Sequence, residues 1–185
     1  MAQRALVELA RSGDHEAFAS LVRDAAVRLD GAARLILRDP EAARDAVQDA
    51  MIRAWRDLSG LRDPDRFDAW LHRLTVNACL DIARRRKRRV HEVELTVIHG
   101  PSLADPGGAL ADRELLAEAL GRLEPEWRAL VVMHYYLGMP VPDAAAELGI
   151  PLGTAKSRLH GAVESMRRVV DQDADAAVVA GGQAS

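Results

Sequence analysis

Cysteine, aromatic residues and long apolar stretches are all scarce in this chain of 185 residues. The single cysteine, Cys79, excludes an internal disulfide and a cysteine-cluster metal site, and it suits a reducing compartment. The first residues lack the apolar core and the small-residue cleavage site of a signal peptide. No stretch approaches the roughly 18 apolar residues that a membrane span needs. We therefore expect a cytoplasmic protein.

What is abundant favours helices. Hydrophobic residues make up 49% of the chain and charged residues 29%, which is typical of a folded protein. Alanine, leucine and arginine dominate, whereas β-branched runs are rare and aromatic residues reach only 4%. We predict an all-α fold of two small helical domains joined by a flexible linker.

Hydrophobic periodicity sets the predicted boundaries. A helical pattern ends near residue 89, dissolves into a stretch that finishes with a Pro-Gly-Gly cluster, and resumes near residue 109. The end of the chain is acidic and rich in alanine and glycine. We predict domains at 1–89 and 109–170, a linker at 90–108 and a disordered tail at 171–185.

The formal net charge of −3 conceals strong segregation of charge. Arg84 to Arg89 is an unbroken basic block, RRRKRR, and Arg158 to Arg168 holds three further arginines. Acidic residues gather over 39–49 and in the tail. Local sign matters more than the total for docking onto phosphates. A basic run is by itself usually a solvated patch, so the block needs a second signal before it indicates nucleic acid.

Two predicted helices of the first domain each have an apolar stripe and a polar face. The stripes comprise Val47, Met51, Ala54, Trp55 and Leu58, then Phe67, Leu71, Leu74, Ala78 and Ile82. The opposite faces carry Asp45, Gln48, Asp49, Ile52, Arg53 and Arg56, then Trp70, Arg73, Asn77, Asp81 and Arg84. An exposed isoleucine among acids suggests a contact surface, although a merely solvated face is the commoner explanation.

The second domain ends in a pattern typical of a helix-turn-helix. Gly149 lies four residues after Ala145, and Ala155 follows six residues later, which suits two crossing helices joined by a left-handed turn. The expected inner stripe of the second helix comprises Leu152, Ala155, Leu159, Val163, Met166 and Val170. The expected outward residues are Lys156, Ser157, His160, Gly161 and Arg167, with Arg158 on the flank. Such side chains can reach base edges and phosphates in a major groove.

Four strings in a fixed order carry a family resemblance. They are GDHEAF at 13–18, DAVQDAMIRAW at 45–55, FDAWLHRLTVNACLDIARRR at 67–86 and LGIPLGTAKSRLHGA at 148–162. Together they resemble the extracytoplasmic-function (ECF) sigma factors of bacterial RNA polymerase. The likeness implies a non-enzymatic protein without cofactor or metal that directs polymerase core to promoters and assists their opening. It also allows an anti-sigma factor as a partner.

The resemblance implies a role for individual residues. A polymerase face of Asp45, Gln48, Asp49 and Arg53 would dock on the clamp helices of the largest polymerase subunit. Asn77 and a base-capture loop, Ser59 to Arg66, would hold a base flipped out of the minus-ten element. Arg84, Arg85, Lys87 and Arg88 would hold phosphates. Lys156, Ser157, Arg158 and His160 would read the minus-thirty-five element as duplex.

Three residues depart from the family pattern. Pro140 stands where a serine or threonine cap is usual, and Pro142 stands where a glutamate is usual. Prolines are tolerated in a first helical turn, so we expect the helix to survive with a bent entry. Gly161 replaces a common arginine, which predicts a helix weaker by about 1 kcal/mol and the loss of a guanine reader.

Two other classes of function stay open at this stage. A helix-turn-helix regulator with a helical sensing domain would bind an operator unaided, usually as a dimer on a palindrome. An enzyme is disfavoured because the sequence has no glycine-rich phosphate loop, nucleophile elbow or metal cluster. The histidines have no ligand-like spacing, and Cys79 and Trp55 are interpreted as core residues. Trp70 is balanced between packing and stacking on a base.

Overall fold

The computed structural model describes the backbone of residues 2–92 and 109–182, and side chains within 3–88 and 112–173. Every regular element in these residues is helical, which confirms the predicted all-α class. Most of the predicted linker, residues 93–108, lies outside the described residues. Within the described residues, no helix is both long enough and apolar enough to cross a membrane.

The first part contains four α-helices: α1 Ala2–Arg11, α2 His15–Leu37, α3 Pro40–Asp57 and α4 Phe67–Glu92. Two 3-10 turns, Leu58–Gly60 and Pro64–Arg66, connect α3 to α4. Aspartates begin α2 and α3, because the carboxylates of Asp14 and Asp39 each accept two backbone N–H bonds from the first turn.

Alanine, not the predicted large residues, forms the most buried face of α3. Ala43, Ala46 and Ala50 are fully buried with Ala54, whereas Val47 and Met51 are only partly buried. Small side chains let α3 pack closely against α2 and α4. Of the predicted stripe, Ala54 and Leu58 are buried as expected, whereas its other residues are only partly buried. Trp55 is also only partly buried, and it stacks on His15 and packs edge-on against Phe18.

The middle of α4 is buried on several sides. Phe67, Leu71 and Ala78 of the predicted stripe are buried, and Cys79 is a core residue as expected. Val76 and Leu80 are buried as well, because α4 packs against α2 and α3 of its own part and also against α6 of the second part. A one-sided stripe therefore underestimates how much of this helix is enclosed.

The second part consists of α5 Ala109–Gly121, α6 Pro125–Val131, a π-helical turn Val132–Tyr136, α7 Val141–Glu147 and α8 Leu152–Gly182. Helices α5, α6 and α7 all pack against α8. The backbone of α8 continues through residues 171–182, where a disordered tail was predicted. Alanine is frequent there and proline is absent, so the composition also suits a helix.

The two parts share one hydrophobic core in this structure. A single cluster joins Ile36, Leu37 and Leu80 of the first part to Leu130 and Met133 of the second. This packing is a finding that the sequence did not indicate, since periodicity within each part says nothing about the contact between them.

Arg128 of α6 is a buried cation at this joint. Its guanidinium donates to the carbonyl oxygens of Ile36 at 2.8 Å, Leu120 at 2.8 Å and Leu123 at 2.7 Å. Burial lowers the pKa of Arg128 to about 10. Ile36 and Leu120 lie at the ends of α2 and α5, and Leu123 lies between α5 and α6, so one side chain satisfies helix ends and a connection from both parts.

Two glycines mark where the parts approach each other most closely. A Cβ on Gly31, in the middle of α2, would overlap the hydroxyl of Tyr136. A Cβ on Gly121 would overlap the guanidinium of Arg38. Glycine costs a helix interior about 1 kcal/mol relative to alanine, and a larger residue at position 31 would have to displace the hydroxyl of Tyr136.

Candidate nucleic-acid and polymerase interfaces

The predicted polymerase face lies on the outer side of α3. Asp45 and Gln48 are exposed. Ile52, one turn after Gln48, is 58% exposed. Arg53 is less free, because its guanidinium contacts Asp49 at 2.7 Å and Asp81 of α4 at 3.8 Å. The structure therefore brings the predicted residues onto one face, with an accessible apolar side chain among acidic and amide groups.

Asn77 lies on the face of α4 that also carries Trp70 and Arg73. Its side chain is half-buried and makes no hydrogen bond to another described residue. An amide carries both donors and acceptors. A half-buried amide with these groups unused can recognise the edge of a base.

The base-capture loop borders a cleft of about 900 Å³. Arg62, Asp63 and Arg66 line one wall of the cleft together with Trp70 and Arg73 of α4, and residues 137–140 with part of α7 line the other. Asn77 is not among the lining residues. Trp70 and Arg73 therefore line the same cleft as the loop, whereas Asn77 does not. Arg62 and Arg66 add two cations to the cleft that the sequence analysis did not single out.

The helix-turn-helix is present at the predicted spacing. Ala145 of α7 and Ala155 of α8 are buried where the helices meet, and Gly149 between them has φ +65°. The left-handed backbone at Gly149 is the conformation that glycine adopts without a steric cost. Pro140 precedes α7 and Pro142 lies in its first turn, where the Ala144 N–H still donates to the Pro140 carbonyl at 3.0 Å. The prolines are accommodated as predicted.

Helix α8 presents Lys156, Ser157 and His160 to solvent, and Arg158 is partly buried at the flank. The buried stripe is Ala155, Leu159, Ala162 and Val169. The predicted stripe was wrong at both ends, since Leu152 is 40% and Val170 is 45% exposed. Ala155, Ala162 and Val169 are spaced seven residues apart, so they lie on the same side of α8, and that side packs on the core. Val170 points away from this side and is therefore more exposed.

Comparison with known proteins decides the family. The model of Sigma-70 region 2 matches residues 15–89, and the model of Sigma-70 region 4 matches residues 113–166. The RNA polymerase sigma-E factor of Streptomyces avermitilis is 33% identical over 164 residues, which cover 88% of this chain and 89% of that protein. The ECF RNA polymerase sigma factor SigM of Mycobacterium tuberculosis is 37% identical over 159 residues, covering 86% and 80%. The chain belongs to the ECF sigma factors.

Solved structures agree with this assignment. The sigma factor CnrH of Cupriavidus metallidurans is 32% identical over 186 residues. The structure of CnrH in complex with the cytosolic domain of CnrY has a TM-score of 0.66 and 30% identity, and it covers 94% of this chain and 99% of that one. The sigma factor RpoE of Bartonella quintana, solved with the anti-sigma factor NepR, shares the fold with a TM-score of 0.68 at 23% identity over 82% of this chain and 97% of that one.

As an ECF sigma factor, the protein directs RNA polymerase to promoters, so its partners are the polymerase core and promoter DNA. The alternative of a regulator with a helical sensing domain is not favoured, because the first part matches a sigma region. Sigma factors as a class are not catalysts. In the described part of the chain, histidine, cysteine, aspartate and glutamate side chains form no group of three that could hold a metal ion.

The basic block of this sigma factor is only partly free for phosphates. Arg84 contacts Asp81 at 3.4 Å, and Lys87 contacts Glu124 of the second part at 3.3 Å. Arg85 and Arg88 are exposed, and neither pairs with an acidic side chain of the described residues. The four predicted residues therefore fall into two classes, two with acidic partners and two without.

A neighbour on another helix bears on the prediction for Gly161, which itself stays a prediction. A Cβ on Gly161 would lie 2.9 Å from Cζ3 and 3.3 Å from Cη2 of Trp127 in α6. Position 161 lies one helical turn after Ser157 on the same side of α8, and it also borders a tryptophan ring of the same part. The glycine leaves room for that ring. Sequence spacing could not show this, because Trp127 lies on a different helix.

Proposed function

We propose that the two parts of this sigma factor divide promoter recognition between them. Residues 1–89 would bind polymerase and handle the minus-ten element, and residues 109–170 would bind the minus-thirty-five element. The observation that carries the proposal is the helix-turn-helix of α7 and α8, whose outer face presents polar and basic side chains, within a chain whose first part matches Sigma-70 region 2. The predicted linker at 90–108 would connect them.

The polymerase face would contact the clamp helices of the largest polymerase subunit. Exposed Ile52 supplies apolar area at its centre, and Asp45, Gln48 and Asp49 supply a polar rim. Interfaces commonly combine a buried apolar centre with such a rim. Arg53 would act mainly by orienting Asp49, because the two side chains are already paired.

The minus-ten element would be captured between α4 and the base-capture loop. Extruding a base costs a few kcal/mol, which a pocket has to return. The half-buried, unpaired amide of Asn77 supports a role in hydrogen bonding to the base, and the ring of Trp70 at the cleft supports stacking. This capture would assist promoter opening, since it stabilises the single strand.

Phosphate contacts would come from the basic block. Within the part of the chain that the structure describes, Arg85 and Arg88 have no ion pair to give up before they reach a phosphate, whereas Lys87 has to leave Glu124 and Arg84 has to leave Asp81. Exposed ion pairs are weak, with a net worth of about 0–1 kcal/mol. All four residues can therefore bind phosphates, and Arg85 and Arg88 can do so without first breaking an ion pair with a described residue.

The minus-thirty-five element would be read by α8. Ser157 and His160 lie one turn apart on its exposed side, and Lys156 and Arg158 flank them. His160 lies 3.7 Å from the carboxylate of Glu164, one turn further along α8. We assign base contacts to Ser157 and His160 and phosphate contacts to Lys156 and Arg158.

The two parts contact each other beside the cleft, because Arg73 of α4 lies 3.4 Å from Glu147 of α7. By their names the two promoter elements lie about 25 base pairs apart, roughly 85 Å at about 3.4 Å per base pair. We infer that the parts separate when the chain joins polymerase and promoter. Distance measurements between labels at positions 59 and 157 would increase on binding; unchanged distances would contradict this.

A protein partner that restrains the chain is also proposed. The relative CnrH has been solved with the cytosolic domain of CnrY, and RpoE has been solved with the anti-sigma factor NepR. An anti-sigma factor of this chain would act in the cytoplasm, where we place the protein because its partner polymerase acts there. We assign the chain no catalytic activity of its own.

Run-off transcription with polymerase core on a genomic library tests the proposed function. The start sites should share two sequence elements, and the protein alone should bind duplex promoter DNA poorly. Initiation without sequence preference, or strong binding of a palindrome by the protein alone, would contradict the proposal and support a helix-turn-helix regulator.

A further inference from the structure

Helix α1 has no role assigned by the family comparison. The match to Sigma-70 region 2 begins at residue 15, after α1 has ended at Arg11. The helix is nevertheless integrated into the fold, because Val7 and Ala10 are buried in the cluster that contains Leu58 and Leu61. It packs against both 3-10 turns of the α3–α4 connection. Helix α1 therefore lies directly beneath the base-capture loop.

Polar contacts fasten α1 to both ends of that loop. Arg4 binds the carboxylate of Asp65 with two bonds, from Nε at 3.2 Å and from Nη2 at 2.5 Å, and it reaches Asp63 at 3.5 Å. Asp63 in turn accepts the N–H of Asp65 at 3.1 Å and so begins the second 3-10 turn. At the other end, Arg11 donates to the Leu58 carbonyl at 3.5 Å.

These ion pairs orient the loop more than they stabilise the protein. The side chains of Arg4, Asp63 and Asp65 are all at least half exposed, and exposed pairs add little to folding stability. A guanidinium that holds a carboxylate with two parallel bonds does, however, restrict the geometry of the pair. The role of Arg4 is therefore to hold residues 63–66 in one orientation.

The same loop residues face the cleft on their other side. Asp63 contacts Arg4 and also lines the cleft, next to Arg62, Arg66 and Trp70. If the side chain of Asp63 changed its orientation, its negative charge would move along the cleft wall, and Arg62 and Arg66 on the same loop would move with it. The promoter strand would lie along this wall. Arg4 is thus coupled to the cleft through one intervening residue, without lining it.

We propose that Arg4 is a positioning residue for minus-ten recognition, and that α1 is the brace that sets the conformation of the base-capture loop. The ligand concerned is the unpaired strand of the minus-ten element. This inference rests on the proposed function, because it presupposes that the loop receives a base. Arg4 acts through Asp65 and Asp63 and does not itself touch DNA.

The test compares Arg4→Met and Asp65→Asn with the double variant. Each full-length protein is assayed with polymerase core on promoter libraries randomised at the minus-ten or at the minus-thirty-five element. We expect each single change to reduce discrimination at one or two minus-ten bases by about fivefold, near the lower end of what a lost base contact costs. The minus-thirty-five profile should stay unchanged, and the double variant should resemble the single ones because both remove one interaction.

Arg122→Met is the matched control. Arg122 forms an equally exposed pair with Glu118 in the second part, far along the chain from the loop. It should leave the minus-ten profile unaltered, and thermal unfolding should verify that all variants are folded.

Three results would overturn the inference. A minus-ten profile of Arg4→Met equal to that of the unmodified protein would show that the loop does not need the brace. A loss with Arg4→Met but none with Asp65→Asn would show that Arg4 contacts DNA directly. Effects that add in the double variant would show that the two residues act separately. If the unmodified protein itself fails to initiate at specific promoters, the proposed function fails instead, so the two failures are distinguishable.

Discussion

Replacing Arg128 by methionine tests how the two parts of the chain are held together. Methionine keeps a long, flexible apolar side chain but removes the guanidinium. The carbonyl oxygens of Ile36, Leu120 and Leu123, which accept from it at 2.7–2.8 Å, then lose their donor in a largely buried site. Among the described residues, Arg128 and Thr75 are the polar or charged residues that are buried.

The expected magnitude follows from these bonds. A hydrogen bond to a charged group contributes about 1.5–3 kcal/mol, and three of them are lost. Part of this loss is offset, because the variant no longer buries a cation, a cost that is visible in the lowered pKa of Arg128. We expect a net destabilisation of about 3 kcal/mol, which lowers the Tm of a chain this size by roughly 6–12 °C.

Urea unfolding followed by circular dichroism measures this change, with Arg122→Met as the exposed control. The control should differ from the unmodified protein by less than about 0.5 kcal/mol, as is usual for surface sites. A loss below about 1 kcal/mol for Arg128→Met would refute the argument that this guanidinium satisfies the buried carbonyls. Two separate unfolding transitions in place of one would show instead that the parts unfold independently.

Four further outcomes are expected. Asp49→Arg combined with Gln48→Ala should abolish binding to polymerase core while changing stability by less than about 0.5 kcal/mol, since both are off the core; unchanged co-purification with core would show that the wrong face was chosen. Asn77→Ala should impair initiation on duplex promoters more than attachment to them, because phosphates dominate attachment; a premelted template with unaltered minus-ten discrimination would contradict this. Gly161→Arg should destabilise the second part, because the added Cβ would lie 2.9 Å from a ring carbon of Trp127, and an unchanged Tm would contradict this; a new base preference on a randomised minus-thirty-five library would show that position 161 also faces DNA. A backbone amide of α3 and then an arginine side chain lower the pKa of Asp39, so its stabilising contribution is present above the unfolded pKa of about 4 and is lost as the pH falls through the folded pKa. The difference in Tm between Asp39→Asn and the unmodified protein should therefore shrink between about pH 5 and pH 2, and a constant difference would show that this carboxylate is not linked to folding.

Local patterns in the chain were enough to predict the helical class, the helix-turn-helix and the family. Ala145, Gly149 and Ala155 predicted the crossing of α7 and α8, because a small residue, a left-handed turn and a second small residue are requirements of that local geometry. Exposure of Lys156, Ser157 and His160 also followed from the period of a single helix. These features depend on residues close together in the chain, so a pattern of spacing is enough to identify them.

The neighbours that each helix packs against could not be predicted from such patterns. Spacing along α8 did not indicate that Trp127, which comes from a different helix, lies beside Gly161. The burial of Arg128 likewise depends on the carbonyl of Ile36, 92 residues away in the chain. Helical period fixes the relative angles of side chains around one axis, whereas the rotation of that axis is set by the neighbouring helices that compete for its surface. Those neighbours are contacts between distant residues, and no spacing within one helix encodes them.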